Sequence, residues 1–400
     1  MIDLEYDAIV VGAGPAGSIA ARILAENDIK TLVVEKKQEI GTPKRCAEGI
    51  NIDGLEKVGL KPDPVWARRE IKGAVLYSPH GKSLEMFLDK KRGYVIERKI
   101  FEKYLARDAI RAGARYMVKT LATEVIKEDG KISGINAVHM GKKLRIKSKL
   151  IIAADGVDSK IAKSAGLNTK NPLTDYHSGF QYEMVGLNLK NTDLLHIYFG
   201  NEIAPKGYVW IFPKDDDTAN VGIGILGRLS DKGNKAKDYL DRFIENHPQI
   251  FKNASAIEIN AGGIPVGSSI DPLVMDGLMV VGDAAHQVNP IHGGGMALAM
   301  NAAKISAEVG VKAIKEGDLS KKRLYEYEKI WRETEGVKMQ KLLKLRSFLE
   351  KLKDKDFESL ADILTEEDII KLTKGKYRFL LKLFMKKAPK MLPLARKFLT

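Results

Sequence analysis

The stretch YDAIVVGAGPAGS at residues 6–18 decides the fold of this chain. Its apolar first half predicts a buried strand, and its glycine-rich second half predicts a tight turn that opens a helix. Residues 18–29 continue the helical pattern, and KTLVVEK at residues 30–36 returns to a strand. Strand, turn, helix and strand make one βαβ unit, so the sequence predicts an α/β domain built on a parallel sheet.

The glycine spacing in this turn is typical of dinucleotide binding. Gly12 makes the turn, Gly14 lets the backbone approach a pyrophosphate, and Gly17 permits close packing of helix on strand. The diphosphate is expected at the helix N-terminus, where free N–H groups and the helix dipole favour negative charge. Glu35 ends the second strand, where a carboxylate binds the ribose hydroxyls. This acid favours an unphosphorylated ribose, as in FAD or NAD.

Two later segments have the same strand-to-helix character. Residues 151–166, IIAADGVDSKIAKSAG, place Asp155 at a strand end, and residues 279–300 place Asp283 before the glycines at 293–295. Each aspartate alone is explained equally well as a helix cap. In this order and spacing, the three segments resemble the FAD-dependent hydroxylase and reductase superfamily. That resemblance implies FAD, with the second aspartate on the ribityl chain and the following helix directed at the flavin.

An aromatic stretch narrows the resemblance. In GYVWIFPKDDDTANVGIG, residues 207–224, Tyr208, Trp210 and Phe212 alternate along one strand and therefore face the same side. They either line a channel for a long apolar chain or form part of a sheet core. The stretch resembles the motif of geranylgeranyl reductases, and a close variant occurs in flavin-dependent halogenases, whose reactive lysine has no assignable counterpart here.

The segment KRCAEGI at residues 44–50 contains the one cysteine of the chain. Cys46 stands where geranylgeranyl reductases carry a cysteine that faces the flavin, and it is the candidate catalytic residue, tuning or supplying a proton. Lys44 and Arg45 are expected to lower its pKa. The alternative is a small apolar filler.

The chain is most similar to the archaeal digeranylgeranylglycerophospholipid reductases, which hydrogenate the chains of ether-linked membrane lipids. For Arg98 the resemblance implies a position near the flavin, and the alternative is a solvent-exposed residue at the start of a helix. For Ala122 it implies a backbone contact with the adenine, which depends on the register of the strand. Tyr208, Trp210 and Phe212 are the implied substrate contacts. The implied cofactor contacts are Gly12, Gly14, Ala16, Gly17, Glu35, Cys46, Ala47, Gly49, Arg98, Ala122, Asp283, Gly295 and Met296.

The predicted fold class is α/β with an α+β second domain: a Rossmann-like FAD-binding domain, an inserted antiparallel-sheet substrate domain and a helical C-terminal extension. The FAD-binding domain is predicted at 1–70, 96–170 and 276–320, and the sheet domain at 71–95 and 171–275. Residues 321–400 form the basic helical region. Within these, helices are expected at 100–113 and near 235–246.

Charge and cysteine usage limit the environment of the protein. A lone cysteine forms no internal disulfide, the N-terminus reads as a strand rather than a signal peptide, and no apolar stretch is long enough to span a bilayer. We therefore expect a cytoplasmic protein. Its net charge is +14, and residues 371–400 contain ten Lys or Arg and no Asp or Glu.

This basic tail predicts contact with a polyanion. Because Tyr377, Phe379 and Phe384 sit among leucines, an anionic membrane surface is favoured and nucleic acid is not. At helical spacing the apolar residues share one side, which contacts lipid in this hypothesis; the alternative packs that side on the protein.

The resulting hypothesis is FAD-dependent reduction of C=C bonds in geranylgeranyl chains of a glycerophospholipid, with hydride to one carbon and a proton to the other. The alternative is an oxygen-dependent aromatic hydroxylase on the same fold. Ferredoxin, a reduced deazaflavin and NADPH all remain possible electron donors. His286 and His292 suit either acid–base work or backbone hydrogen bonds, and no residue set has metal-site spacing.

Overall fold

The computed structural model describes residues 2–88, 92–230 and 234–399, which form three sheets and a set of helices. Met1, residues 89–91, residues 231–233 and Thr400, which the predicted domains include, lie outside the described residues. The strands are β1 Ile2–Val11, β2 Thr31–Val34, β3 Gly49–Asn51, β4 Ala67–Ile71, β5 Gly73–Tyr77, β6 Ser83–Phe87, β7 Gly93–Ile96, β8 Arg115–Met117, β9 Thr120–Glu128, β10 Lys131–His139, β11 Lys142–Ala153, β12 Tyr176–Val185, β13 Leu194–Phe199, β14 Tyr208–Pro213, β15 Thr218–Leu226, β16 Ser255–Pro265, β17 Val274–Met275 and β18 Leu278–Val280.

The helices cover the sheets and form the C-terminal part of the chain. They are α1 Pro15–Glu26, α2 Ile52–Glu56, α3 Arg98–Arg111, α4 Lys160–Ala165, α5 Ala236–Glu245, α6 Pro248–Phe251, α7 Met296–Glu316, α8 Lys321–Trp331, α9 Val337–Leu349, α10 Asp354–Ile363, α11 Glu366–Thr373, α12 Phe379–Lys387 and α13 Leu392–Leu399.

The eight-stranded sheet has the order β17-β18-β11-β1-β2-β8, and β10 and β9 extend from β11. Strands β18, β11, β1, β2 and β8 run parallel, as the βαβ unit predicts. Their apolar residues are buried together with the inner sides of α1 and α7. The glycine turn therefore lies at the carboxyl edge of this sheet, where α/β folds bind ligands.

The seven-stranded sheet has the order β16-β12-β15-β14-β13-β5-β6. All its pairs are antiparallel except β13 with β5. On one face, Val209, Ile211 and Ile223 pack with Leu240 and Phe243 of α5. The opposite face is directed at the segment around Cys46. This arrangement confirms the predicted α/β fold class with a second, largely antiparallel sheet, while the numerical domain boundaries stay a prediction.

The C-terminal helices pack on each other and on the seven-stranded sheet. Phe348, Leu380 and Phe384 are buried in their shared core. Phe357 of α10 stacks on Phe199 of β13, with ring centroids 6.0 Å apart. At the outer strand β6, the N–H of Phe87 donates to the carboxylate of Glu366, the first residue of α11. The helical extension is thus attached along one end of the sheet.

The apolar side of the tail does not face outward. Leu380 and Phe384 are 2% and 0% exposed, whereas Lys382, Lys386 and Lys387 are exposed. The expectation that these apolar side chains contact lipid is wrong, because they fill the core of the C-terminal helices. Among residues 2–88, 92–230 and 234–399, no helix combines the length and apolar character needed to cross a membrane.

Candidate active site

In the turn between β1 and α1, close packing requires glycine at positions 12 and 17, whereas Gly14 borders an open space. A Cβ at Gly12 would lie 2.4 Å from the carbonyl oxygen of Ala154, and one at Gly17 would lie 1.8 Å from that of Gly12. A Cβ at Gly14 would meet no described atom within 4 Å. Since no side chain of the described residues caps α1, its first N–H groups are left for a ligand. The turn therefore fits a bound diphosphate.

Glu35 lies directly beneath this turn. Its carboxylate accepts the N–H of Ala13 at 2.9 Å and the N–H of Lys37 at 2.9 Å. The backbone carbonyl of Glu35 accepts the N–H of Thr120, two residues before Ala122. Ala122 itself is buried on β9. The structure thus brings Glu35 to the glycine turn and starts the Ala122 strand beside it.

The second glycine loop closes on the first. Gly282 lies between Ala16 of α1 and Ala299 of α7, whose Cβ atoms would be 3.5 Å and 3.4 Å from a Cβ at that position. Asp283 is partly buried, and desolvation by the surrounding protein raises its pKa, with Arg98 acting in the opposite direction. Its Oδ1 would lie 3.2 Å from a Cβ at Gly295, which precedes α7. Asp283 and the N-terminus of α7 therefore face the same space.

The side chain of Asp155 caps the first turn of α4. Its Oδ2 accepts the N–H of Ile161 in α4 at 3.0 Å. Its Oδ1 is buried and has no hydrogen-bond partner among the described residues.

The Cys46 segment crosses between the two glycine loops. The Cys46 sulfur accepts the N–H of Glu48 at 3.1 Å and lies 4.0 Å from the sulfur of Met296, the first residue of α7. Arg98 opens α3 and donates to the carbonyl of Arg45 at 3.4 Å and to the carboxylate of Glu102 at 2.6 Å. The predicted residues Cys46, Arg98 and Met296 are thus brought together.

The pKa of Cys46 runs against the sequence expectation. Burial of the sulfur among protein atoms raises the thiol pKa, and the nearby Arg98 only partly opposes this. Lys44 instead contacts the carboxylates of Glu48 and Glu183. The Arg45 side chain lies along the backbone of Gly262. The predicted lowering by Lys44 and Arg45 is therefore wrong, and the thiol keeps its proton at neutral pH.

The aromatic strand β14 approaches the same segment. Tyr208 donates to the carbonyl of His292 at 2.6 Å, and Trp210 Nε1 donates to Gln181 Oε1 at 2.9 Å. A Cβ at Gly49 would lie 2.9 Å from the ring of Phe212. The three rings share one face, as predicted, and that face is directed at the Cys46 segment rather than into the core of their own sheet.

One glycine on β15 makes room for the Trp210 ring. Gly222 pairs with Trp210 and Gly224 pairs with Tyr208 across the β14–β15 ladder. A Cβ at Gly222 would lie 2.4 Å from the Trp210 indole, whereas one at Gly224 would lie at 3.7 Å. The indole therefore lies flat over Gly222.

A buried polar network holds the Cys46 segment on the sheet, and no sequence pattern predicted this network. Gln181 donates to the carbonyl of Cys46 at 3.0 Å, and Asn220 donates to the carbonyl of Ala47 at 3.2 Å. Glu183 and Lys214 form ion pairs beneath them. Polar residues at alternate positions of a strand normally indicate a solvent-facing side, so this pattern pointed away from the site.

The two loop histidines differ in burial. Burial lowers the pKa of His286, whereas His292 is exposed. His292 Nδ1 accepts the N–H of Gly294 at 3.1 Å. The His286 ring is therefore neutral at neutral pH, and the backbone-bonding alternative describes His292. Within the described ranges, no cluster of His, Cys, Asp or Glu could hold a metal ion.

Two protein families match segments of this chain. Residues 7–101 match the FAD binding domain family, and residues 175–264 match the geranylgeranyl reductase catalytic domain family. The first match confirms FAD as the cofactor, in agreement with the open space at Gly14 and the uncapped helix beside it.

Curated relatives match over nearly the whole chain. The chain is 47% identical over 380 residues to the digeranylgeranylglycerophospholipid reductase of Methanocaldococcus jannaschii, which covers 94% of this chain and 95% of that protein. It is 42% identical over 393 residues to digeranylgeranylglycerophospholipid reductase 1 of Methanothermobacter thermautotrophicus, with 97% of each chain covered.

A solved structure agrees with these matches. The geranylgeranyl bacteriochlorophyll reductase-like protein of Thermoplasma acidophilum superposes with a TM-score of 0.91 at 36% identity, covering 99% of this chain and 100% of that one. On this identity and coverage, the chain belongs to the digeranylgeranylglycerophospholipid reductase family.

Proposed function

We propose that this protein reduces the C=C bonds of geranylgeranyl chains carried by an archaeal ether-linked glycerophospholipid. The names of its close relatives supply the reaction. The observation that carries the proposal is the contact of Phe212 with Gly49, because it places the aromatic face of β14 against the Cys46 segment. An apolar chain lying on that face would end beside the cofactor site. The alternative of an oxygen-dependent hydroxylase is not favoured by these relatives.

We assign the cofactor to the residues that surround the open space. Gly12, Gly14 and the N-terminus of α1 would hold the diphosphate, and Glu35 the ribose. Asp283 would bind the ribityl chain, and the N-terminus of α7 would face the flavin. When bound, reduced FAD supplies a hydride equivalent to one alkene carbon.

The chain itself would handle the proton and exclude water. Saturating one C=C bond requires one hydride and one proton, and the raised pKa of Cys46 keeps a proton on the sulfur. We propose that this thiol protonates the second alkene carbon and is reprotonated afterwards. The rings of Tyr208, Trp210 and Phe212 would hold the alkene and displace water from it.

The test is an anaerobic assay with enzyme reduced by dithionite, so that the natural donor is not needed. Digeranylgeranyl glycerophospholipid is supplied as substrate, and the masses of the products are measured by mass spectrometry. Each reduced bond adds two hydrogen atoms, and the proposal expects this gain without oxygen. Turnover that requires oxygen and adds an oxygen atom would establish the hydroxylase instead.

We also propose that the protein binds an anionic membrane surface through the exposed lysines of its C-terminal helices. Lys382, Lys386 and Lys387 are exposed on α12, while the apolar side of that helix is buried. Contact would therefore be electrostatic and sensitive to salt rather than dependent on inserted side chains. Such a surface would hold the enzyme where its lipid substrate resides.

A further inference from the structure

Glu48 has an unusual position for a charged residue. Its side chain is 0% exposed, and its backbone has a φ of 72°, in the left-handed region that L side chains rarely adopt. In this conformation its N–H donates to the Cys46 sulfur, and its carbonyl accepts the N–H of Ile96 at 3.0 Å. The shape of the chain at Cys46 therefore depends on the conformation of Glu48.

The carboxylate of Glu48 is bound from three directions. Oε1 accepts the N–H of Arg98 at 2.7 Å, at the beginning of α3. Oε2 accepts from Asn220 Nδ2 at 2.7 Å, and lies 3.1 Å from Lys44 Nζ and 3.1 Å from Lys214 Nζ. One carboxylate thus joins its own segment, α3 and the seven-stranded sheet. Burying a charged carboxylate costs desolvation free energy, so such a group is found in a protein interior only where several partners bind it.

Few charges act on the Cys46 sulfur in the described part of the chain. From its own segment the charged group is Glu48, and from α3 it is Arg98, which is paired with Glu102. From β12 the contact is the neutral amide of Gln181, and from α7 it is the neutral Met296. Glu48 therefore acts on the sulfur in two opposite ways: its backbone N–H favours the thiolate, whereas its carboxylate charge opposes Arg98 and favours the thiol.

We propose that Glu48 is a positioning residue: its backbone and its bound carboxylate fix the Cys46 thiol at the site, and the charge of that carboxylate favours the proton on the sulfur. The usefulness of that proton rests on the proposed reduction. The position and titration of the thiol do not, so they can be measured separately from turnover.

The experiment titrates the thiol in the full-length enzyme with FAD bound. Because Cys46 is the one cysteine in the chain, the rate of alkylation by iodoacetamide reports on this sulfur alone. Glu48→Gln keeps the size and an oxygen acceptor for Arg98 but removes the charge. Without that charge the thiolate is less disfavoured, so the alkylation midpoint should move to lower pH, by a fraction of a unit because Lys44 and Lys214 offset much of the charge. The matched control is Glu183→Gln, which removes a carboxylate from the same two lysines without touching residues 46–48, and its midpoint should stay unchanged.

A second variant separates position from charge. Glu48→Asp keeps the charge but shortens the reach to Arg98, so its midpoint should stay at the wild-type pH while kcat falls about tenfold at unchanged KM. If Glu48→Gln does not fold, Glu48→Asp alone decides. A wild-type kcat in Glu48→Asp, or equal midpoint shifts in Glu48→Gln and Glu183→Gln, overturns the proposal. A Cys46→Ser variant with full activity would refute the proton role while leaving the titration result standing.

Discussion

Tyr208 donates a 2.6 Å hydrogen bond to the backbone carbonyl of His292, and this bond joins the aromatic strand to the glycine loop that precedes α7. The two residues are 84 positions apart in the chain. The position of β14 over the site is thus coupled to the position of the loop that faces the cofactor.

Replacing Tyr208 with Phe should loosen this coupling. A neutral hydrogen bond contributes about 1 kcal/mol, so we expect a loss of that size in the free energy of unfolding and a rise in KM for the prenyl lipid. Thermal unfolding and steady-state kinetics measure the two effects. Tyr325→Phe is the control, because Tyr325 is 47% exposed on α8. Equal behaviour of the two variants would mean that the bond has no role in positioning.

Gly14→Val should remove FAD but leave the protein folded. A Cβ at Gly14 meets no described atom within 4 Å, so the branched side chain would enter only the space assigned to the diphosphate. The measurement is the ratio of flavin to protein absorbance after purification, with circular dichroism to check folding. Gly17→Ala should instead unfold the turn, because its Cβ would lie 1.8 Å from Gly12 O. A folded Gly14→Val protein with full flavin content would refute the assignment.

Cys46→Ser should reduce kcat by at least about 100-fold, the usual contribution of a general acid, while FAD remains bound. The hydroxyl has the right size but is a much weaker acid than the thiol. Product formation by mass spectrometry, with flavin absorbance as the check on cofactor content, measures this. A wild-type rate would show that Cys46 only fills space.

The rate should also depend on pH with a definite sign. The pKa of the thiol is raised, so the proton stays on the sulfur through neutral pH. The rate is therefore expected to be flat there and to fall as pH rises through a value above the ordinary thiol range. Loss of that alkaline fall in a residually active Cys46→Ser enzyme would identify the thiol as the titrating group.

Gly222→Ala should displace the Trp210 indole, since the added Cβ would lie 2.4 Å from its ring. Overpacking of this kind costs about 2 kcal/mol, and loss of the bond from Trp210 to Gln181 should raise KM for the lipid. Gly224→Ala is the matched control two residues along β15, where the nearest ring atom would lie at 3.7 Å. Unfolding and KM are measured for both, and an equal effect at the two glycines would contradict the proposed seat of the indole.

Neutralising Lys382, Lys386 and Lys387 to Gln should weaken binding to anionic vesicles by about 3 kcal/mol, or roughly 100-fold. Truncation is a poor test, because it would also remove Leu380 and Phe384 from the core. The control neutralises three exposed lysines on β10 and β11 of the eight-stranded sheet, which are Lys131, Lys142 and Lys143. Co-sedimentation at fixed salt compares the two proteins, and equal binding would rule out α12 as the membrane-binding surface.

The parts of the site that are contiguous in the chain could be predicted from the sequence. The turn from Gly12 to Gly17 and the acid at Glu35 lie within one βαβ unit, so their spacing defines their geometry. The alternation of Tyr208, Trp210 and Phe212 likewise gave the correct common face.

Long-range relationships could not be predicted in this way. The bonds of Glu48 to Lys214 and Asn220 join positions far apart, and the pairing depends on how the sheet meets the Cys46 segment. The pKa of Cys46 could not be predicted for the same reason. Its sequence neighbours Lys44 and Arg45 are cations, but the fold directs their side chains away from the sulfur. For α12, periodicity identified the apolar side but not the protein surface that covers it.

The contact of Glu366 with the backbone of Phe87 has a consequence for how the protein behaves in a crowded cell. Strand β6 is the last strand of its sheet, and a last strand offers unpaired N–H and C=O groups to strands of other molecules. Glu366 occupies one of these groups, while Glu358 and Asp362 of α10 hold Lys82 at the turn before the strand. A chain shortened before Asp354 would leave that strand open, and aggregation by strand addition is its expected fate.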